Sequence, residues 1–378
     1  GSGALVLNGA NTYTGVTTVS EGVLAITHAV GLGATGNGTT VASGATLDLR
    51  NVVVGAESLS LNGGTLTAST GTSSLAGAVS LGASSTVNVA GTQLAVSGAI
   101  SGTGYGLLKG GVGILILSGS NTYTGATTIN AGTLKLGSAA ALGTSANGTT
   151  GTSSVTVSSG GALDLNGQTV TRAADLTITG TGTYGALINS ASAAASYAGL
   201  VSLDGNATIS AYGGNVTLSH TGSITGTYGL TLDAQSGKAG TLASAMGTGT
   251  GTLTKTGAGT WTLSGANTYT GATTISAGTL ALDSTGTIAT SSGVANSGSL
   301  TIAANKTIDS MTGTGTTALG SFTLTIGGAS NTSATYGGII SGTGGITKAG
   351  TGTLTLSGVN TYSGVTRVDA GTLKVSNN

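Results

Sequence analysis

Cysteine and proline are absent from this 378-residue chain, and only 5% of its residues are charged. Without cysteine there is no disulfide framework, and zinc sites built on thiolates are excluded. Ten basic and ten acidic residues cancel, so electrostatic attraction to nucleic acid or to an anionic membrane has no basis. No apolar run reaches the ~18 residues of a membrane-spanning helix. No basic-then-apolar leader opens the chain, and Ser376-Asn-Asn378 ends it without an amphipathic barrel pattern, so a piece of a larger or processed protein is expected. Missing proline and the lack of a three-residue glycine period exclude collagen.

What is present is glycine, 72 residues of it, together with 38% hydrophobic residues. Disordered glycine-rich tracts are charged and poor in apolar side chains, and this one is neither. Period-two alternation runs throughout, as in Val155-Thr-Val157, Leu176-Thr-Ile178, Leu230-Thr-Leu232 and Leu354-Thr-Leu356. Each run is short and closes on Gly, Asn or Ser, the pattern of half-buried strands with threonine facing outward. The chain is all-β.

One word recurs. Asn11–Gly15, Asn121–Gly125 and Asn267–Gly271 read NTYTG, and Asn360–Gly364 reads NTYSG. The segments around it, 1–26, 111–136, 257–282 and 350–375, each carry three strand-like pieces. Three strands and three turns predict one coil of a three-sided parallel β-helix, and the even texture predicts a single domain over 1–378. At ~22 residues per coil and ~4.8 Å per coil, that is a rod of about 17 coils and 80 Å. A β-sandwich would need domain linkers that the sequence lacks. Proline's absence fits, because strand N–H groups in stacked coils must donate. The word is read as a corner in which Asn takes an unusual backbone turn, Thr and Tyr cover it, and Gly releases the chain. The asparagines lie 110, 146 and 93 residues apart, so the tyrosines cannot form a stacked ladder.

The longer pattern, with a lysine strand upstream and G-T-L downstream, spans Ser101–Leu134, Gly247–Leu280 and Ser341–Leu373. It resembles the autotransporter-associated β-strand repeat of bacterial passenger domains. That resemblance implies a right-handed parallel β-helix, exported and presented outside the cell through a C-terminal outer-membrane barrel of the parent protein. It further implies roles in adhesion, autoaggregation or biofilm, with self-association or surface ligands as partners and no cofactor.

Chemistry is hard to find. The ten carboxylates are scattered, without the close pair that acid–base hydrolysis needs. Asp48 and Asp164 hold matching slots after a leucine and are read as outward strand positions. His28 and His220 are the only histidines and form no ligand spacing. Lys109, Lys255 and Lys348 share one slot before a Gly-x-Gly and are read as outward, solubilising charges that discourage sideways pairing. Trp261 takes a slot held elsewhere by Leu115 and Leu354 and is assigned to the core. No catalytic, cofactor or metal residue is assigned. The leading reading is a non-enzymatic extracellular rod. A head-to-tail filament subunit and, remotely, a β-helical glycan-active enzyme are the alternatives.

Overall fold

The computed structural model describes residues 3–143, 154–171, 174–328 and 332–376, and among them there is no helix. The chain divides into two compact units, Gly1–Gly182 and Thr183–Asn378. Each is a parallel β-solenoid, the expected fold class.

In the first unit the strands stack in three columns. One runs from Ala4–Leu7 through Val23–Ile26, Thr46–Arg50, Thr65–Thr70, Ser85–Val89, Leu107–Gly110 and Thr127–Ile129 to Val155–Val157. The second holds Val53–Val54, Thr72–Leu75, Gln93–Val96, Ile114–Leu117, Gly132–Leu136 and Gly161–Asp164. The third holds Thr17–Val19, Thr39–Ala42, Leu59–Asn62, Val79–Ala83 and Ile100–Ser101. The second unit repeats this plan, for example with Ala239–Leu242, Thr260–Leu263, Thr279–Leu282 and Ser299–Ile302 in one column.

Registry makes the core. Leu94, Leu115, Leu134 and Leu163 are successive partners in one column, and all four are fully buried. A buried leucine contributes roughly 1.5–3 kcal/mol, and a one-residue slip would turn the whole ladder outward. Trp261 is buried as expected. Its partner one coil below is Gly240, where an added Cβ would lie 2.3 Å from the indole. The large side chain fits because the coil beneath it carries none. The indole N–H donates to the Asp233 carbonyl at 2.8 Å, so the ring's polar atom is also satisfied.

Two aspartates differ from expectation. Asp48 and Asp164 are 3% and 2% exposed. The Asp48 carboxylate accepts from Ser69 N at 3.0 Å and Ser69 Oγ at 2.8 Å, and pairs with Arg50 at 2.6 Å. Asp164 accepts from Asn166 N at 2.9 Å and lies 3.6 Å from Lys135 Nζ. Adjacent-coil side chains cover what a single strand would leave open.

Glu57 is buried with only half of such compensation. One carboxylate oxygen accepts from Thr39 Oγ at 2.7 Å, and the other has no partner. Burial raises its pKa above the ordinary 4.5. On raising pH the unfolded chain therefore loses this proton before the folded one, and folding stability falls. Glu57→Gln removes that term. In thermal melts the variant should gain on the wild type as pH rises above the ordinary value of 4.5, and a constant difference would contradict this.

Candidate functional site

The recurring word and its lysine strand were the strongest functional signals in the sequence, and the structure brings them together in one assembly. Its unit is two layers deep. Leu107–Gly110 pairs with Thr127–Ile129, and Ile114–Leu117 pairs with Gly132–Leu136. The first and third strand pieces of the 26-residue word thus stack on each other, Leu115 on Leu134. The word is a full turn plus one strand, where three sides of a single coil were expected. The pairings recur as Leu253–Thr256 with Thr273–Ile275 and Thr260–Leu263 with Thr279–Leu282. They recur again as Ile346–Lys348 with Thr366–Val368 and Thr353–Leu356 with Thr372–Val375.

The lysines are buried, which corrects their outward assignment. Lys109 and Lys255 are 0% exposed and Lys348 is 3% exposed. Lys109 Nζ donates to the carbonyls of Gly110 at 2.8 Å, Gly111 at 2.7 Å and Ala131 at 3.0 Å. Lys255 donates to Thr256, to Gly257 at 2.8 Å and to Ala277 at 3.2 Å. Lys348 donates to Ala349 at 2.5 Å, Gly350 at 2.8 Å and Ala370 at 3.3 Å. All three ammonium protons are used. Two of the acceptors belong to the lysine's own turn and the third to the turn one layer on, so the side chain pins two layers together. Burial pushes Lys109 and Lys255 down to about 8 and Lys348 down as well. At about 8 the first two still hold their third proton at neutral pH. The adjoining glycine is obligatory: Gly132 has φ 66°, and a Cβ there would meet the Gly111 and Gly113 carbonyls at 2.5 Å. That is the glycine of the G-T-L signature.

The asparagine is a clasp between coils. Asn121 Oδ1 accepts from Ile100 N at 2.8 Å in the coil before, and Nδ2 donates to Ala141 O at 2.6 Å in the coil after. Asn267 does the same with Met246 N at 2.7 Å and Thr287 O at 2.9 Å. Neither has positive φ; among the described non-glycine residues only Asn51 and Asn166 do. The expected asparagine turn is therefore wrong, because the side chain, and not an unusual backbone, does the work. Tyr123 and Tyr269 are fully buried, with hydroxyls 2.7 Å from Thr127 and 2.6 Å from Thr273. They fill the interior, where a surface cover was expected. The word itself lies along a whole side: Thr122 N donates to Ile100 O at 2.7 Å and Thr124 N to Gly102 O at 3.0 Å, continuing the third column.

The copies do not share a face. In the first unit Ala4–Leu7, just before the first word, stands in the column of Leu107–Gly110, while Ile114–Leu117, just before the second word, stands in the next column. In the second unit Thr268 N donates to Met246 O, but Thr361 N donates to Ile340 O, and Ile340 belongs to the column of Thr260–Leu263. Successive words within a unit are turned by one side. A ligand lying along one face of either unit cannot meet both of its copies.

Among the described residues no three His, Asp or Glu side chains group to hold a metal. A cavity of about 560 Å³ lies at residues 3–24, lined by Leu5, Tyr13, Val16 and Val19 among others, with Glu21 as its one carboxylate.

Comparison with known proteins follows the same boundaries. The passenger-associated-transport-repeat family model matches residues 1–26, 107–136, 253–282 and 346–375. The last three ranges begin at the lysine strand and end with the strand stacked on the one that follows it. Four segments of the chain are thus passenger-associated-transport repeats, and the chain is similar to autotransporter passenger sequence. It is 36% identical over 390 residues to the adhesin BmaC autotransporter of Brucella suis biovar 1 (strain 1330), an alignment that takes in 99% of this chain and 10% of that protein. The chain thus spans about a tenth of the length of this curated relative. No solved structure matches significantly. Lys109 is the test of the two-layer pin. Lys109→Met strands buried carbonyls and should lower unfolding free energy by about 3 kcal/mol in a denaturant titration. Lys374→Met, at an exposed position, should change it by less than about 0.5 kcal/mol. Equal, small effects would restore the outward reading.

Proposed function

We propose that this passenger segment is a non-enzymatic adhesive element, displayed outside a bacterial cell by a parent protein that carries a C-terminal outer-membrane barrel. The observation that carries this reading is the match along nearly the whole chain to part of an autotransporter described as an adhesin. The structure is compatible with it in physical terms. A solenoid held by coil-to-coil hydrogen bonds and buried polar clasps is a stable carrier, and its threonine-rich exterior offers many weak polar contacts while few charges repel a neighbouring surface. Asp48 and Asp164, the two carboxylates in matching slots, are committed to Arg50, Ser69, Asn166 and Lys135, which speaks against their use as a hydrolytic pair. The filament alternative receives no support from the relative, in which the matching stretch is one part of a much longer chain.

The test is display of residues 1–378 on a non-adherent bacterium through an unrelated outer-membrane barrel. Cells bearing the segment should bind cultured epithelial monolayers at least several-fold above cells bearing the barrel alone. Binding equal to that of the barrel alone would place adhesion in other parts of the parent protein.

A further inference from the structure

Five of the twelve aromatic side chains are hidden: Trp261, Tyr123, Tyr197, Tyr269 and Tyr336 are all 0% exposed. One group in the second unit is not. The rings of Tyr184 and Tyr212 lie 4.2 Å apart, centroid to centroid, tilted by 38°. Tyr184 is 48% exposed, and Tyr212 is half-buried. Tyr184 precedes strand Leu187–Ile188, and Tyr212 follows strand Val201–Ala211, its partner in the stack. The two side chains thus approach from opposite ends of the same column. Tyr228, 40% exposed, precedes strand Leu230–Ala234, the next layer of that column. It stands at the same end of that column, one residue from the slot in line with Tyr184 two coils earlier, about 10 Å along the stack at ~4.8 Å per coil.

We propose that Tyr184, Tyr212 and Tyr228 form a shelf that binds a neutral glycan chain, the ligand of the adhesive segment; the idea rests on the adhesive reading above. Exposed rings in contact keep apolar area in water, which is the usual mark of a binding surface. The surroundings decide the ligand class. Among the residues flanking the rings in the chain are Gly182-Thr183, Gly213-Gly214 and Thr227, small or hydroxyl-bearing and none of them aliphatic. A protein interface of standard size needs a dry apolar centre over roughly 800 Å² per partner. A sugar needs less: an apolar C–H face on a ring and hydrogen-bonding groups around it. The carboxylates or ammoniums nearest in sequence to the three rings are Asp175, Asp233 and Asp204. All are acidic, which disfavours sialylated or sulfated chains. The separation of Tyr184 and Tyr228 matches the span of about two sugar rings along an extended chain, at two coils of ~4.8 Å each.

Affinity gel electrophoresis of the full chain through gels containing a neutral β-glucan, a neutral galactomannan or heparin tests this directly. At least one neutral polysaccharide should retard the wild type, and heparin should not. Tyr184→Ala with Tyr212→Ala should weaken that retardation at least fivefold. Tyr184→Phe with Tyr212→Phe should retain it, because the ring faces remain. Tyr105→Ala removes an exposed tyrosine of the first unit and should change nothing. Circular dichroism melts of each variant establish that the fold is kept. Retardation by heparin alone, by no polysaccharide, or equally by the double alanine variant overturns the shelf. The monolayer assay keeps the two ideas apart. If displayed double-alanine protein adheres like wild type, the adhesive reading stands and the glycan shelf falls.

Discussion

Every coil of this protein is positioned by hydrogen bonds to the coil beside it, and nearly all else follows from that constraint. A strand N–H that cannot donate breaks a ladder, so proline has no place in the sequence. Corners press against the backbone of the preceding corner. At Gly98 a Cβ would come 1.9 Å from the Gly77 carbonyl, so the abundance of glycine reflects contact between layers more than flexibility. Side chains inherit the registry and stack like on like, which is how a chain of small apolar residues assembles a continuous interior.

Stacked small residues give a core of uniform strength, and the repeats interrupt that uniformity. In each internal copy a lysine pins two turns, an asparagine joins three coils, and a tyrosine fills the interior with its hydroxyl satisfied. The lysine and the asparagine are buried polar groups whose partners are backbone atoms. They reward one registry only, because a slipped coil would strand an ammonium or an amide in the dry interior. The turning of the word from one side to the next within each unit fits the same view. A fastening device must sit in the right coil but need not face a common direction, whereas a repeated ligand site would have to.

Much of the fold was legible in the sequence. Alternation in runs such as Leu354-Thr-Leu356, glycine-closed corners and the spaced repeat led to parallel coils, and Trp261 was assigned correctly to the interior. The errors share one physical cause. Lys109, Asp48 and the tyrosine of NTYTG were judged from their own strand, and a single strand does not show what the next coil lays over it. The Ala131 carbonyl that receives Lys109 is 22 residues away, and Ile100 N, which donates to Asn121, is 21 residues away. Only the spacing of the lysine strand before the word, the same in all three copies, hinted that they belong to one assembly. The contact of Tyr184 with Tyr212 has no motif at all; it arises where two corners of one column converge.

The central claim is that the repeats are the fastened coils of the solenoid. Native-state hydrogen exchange, read by mass spectrometry on peptides covering each unit, tests it most directly. Peptides from 107–136 and 253–282 should be the slowest to exchange in their respective units, ahead of strands such as Leu59–Asn62 and Val216–Leu218 that lack lysine and asparagine clasps. Exchange that is uniform along each unit, or slowest outside the repeats, would contradict the account.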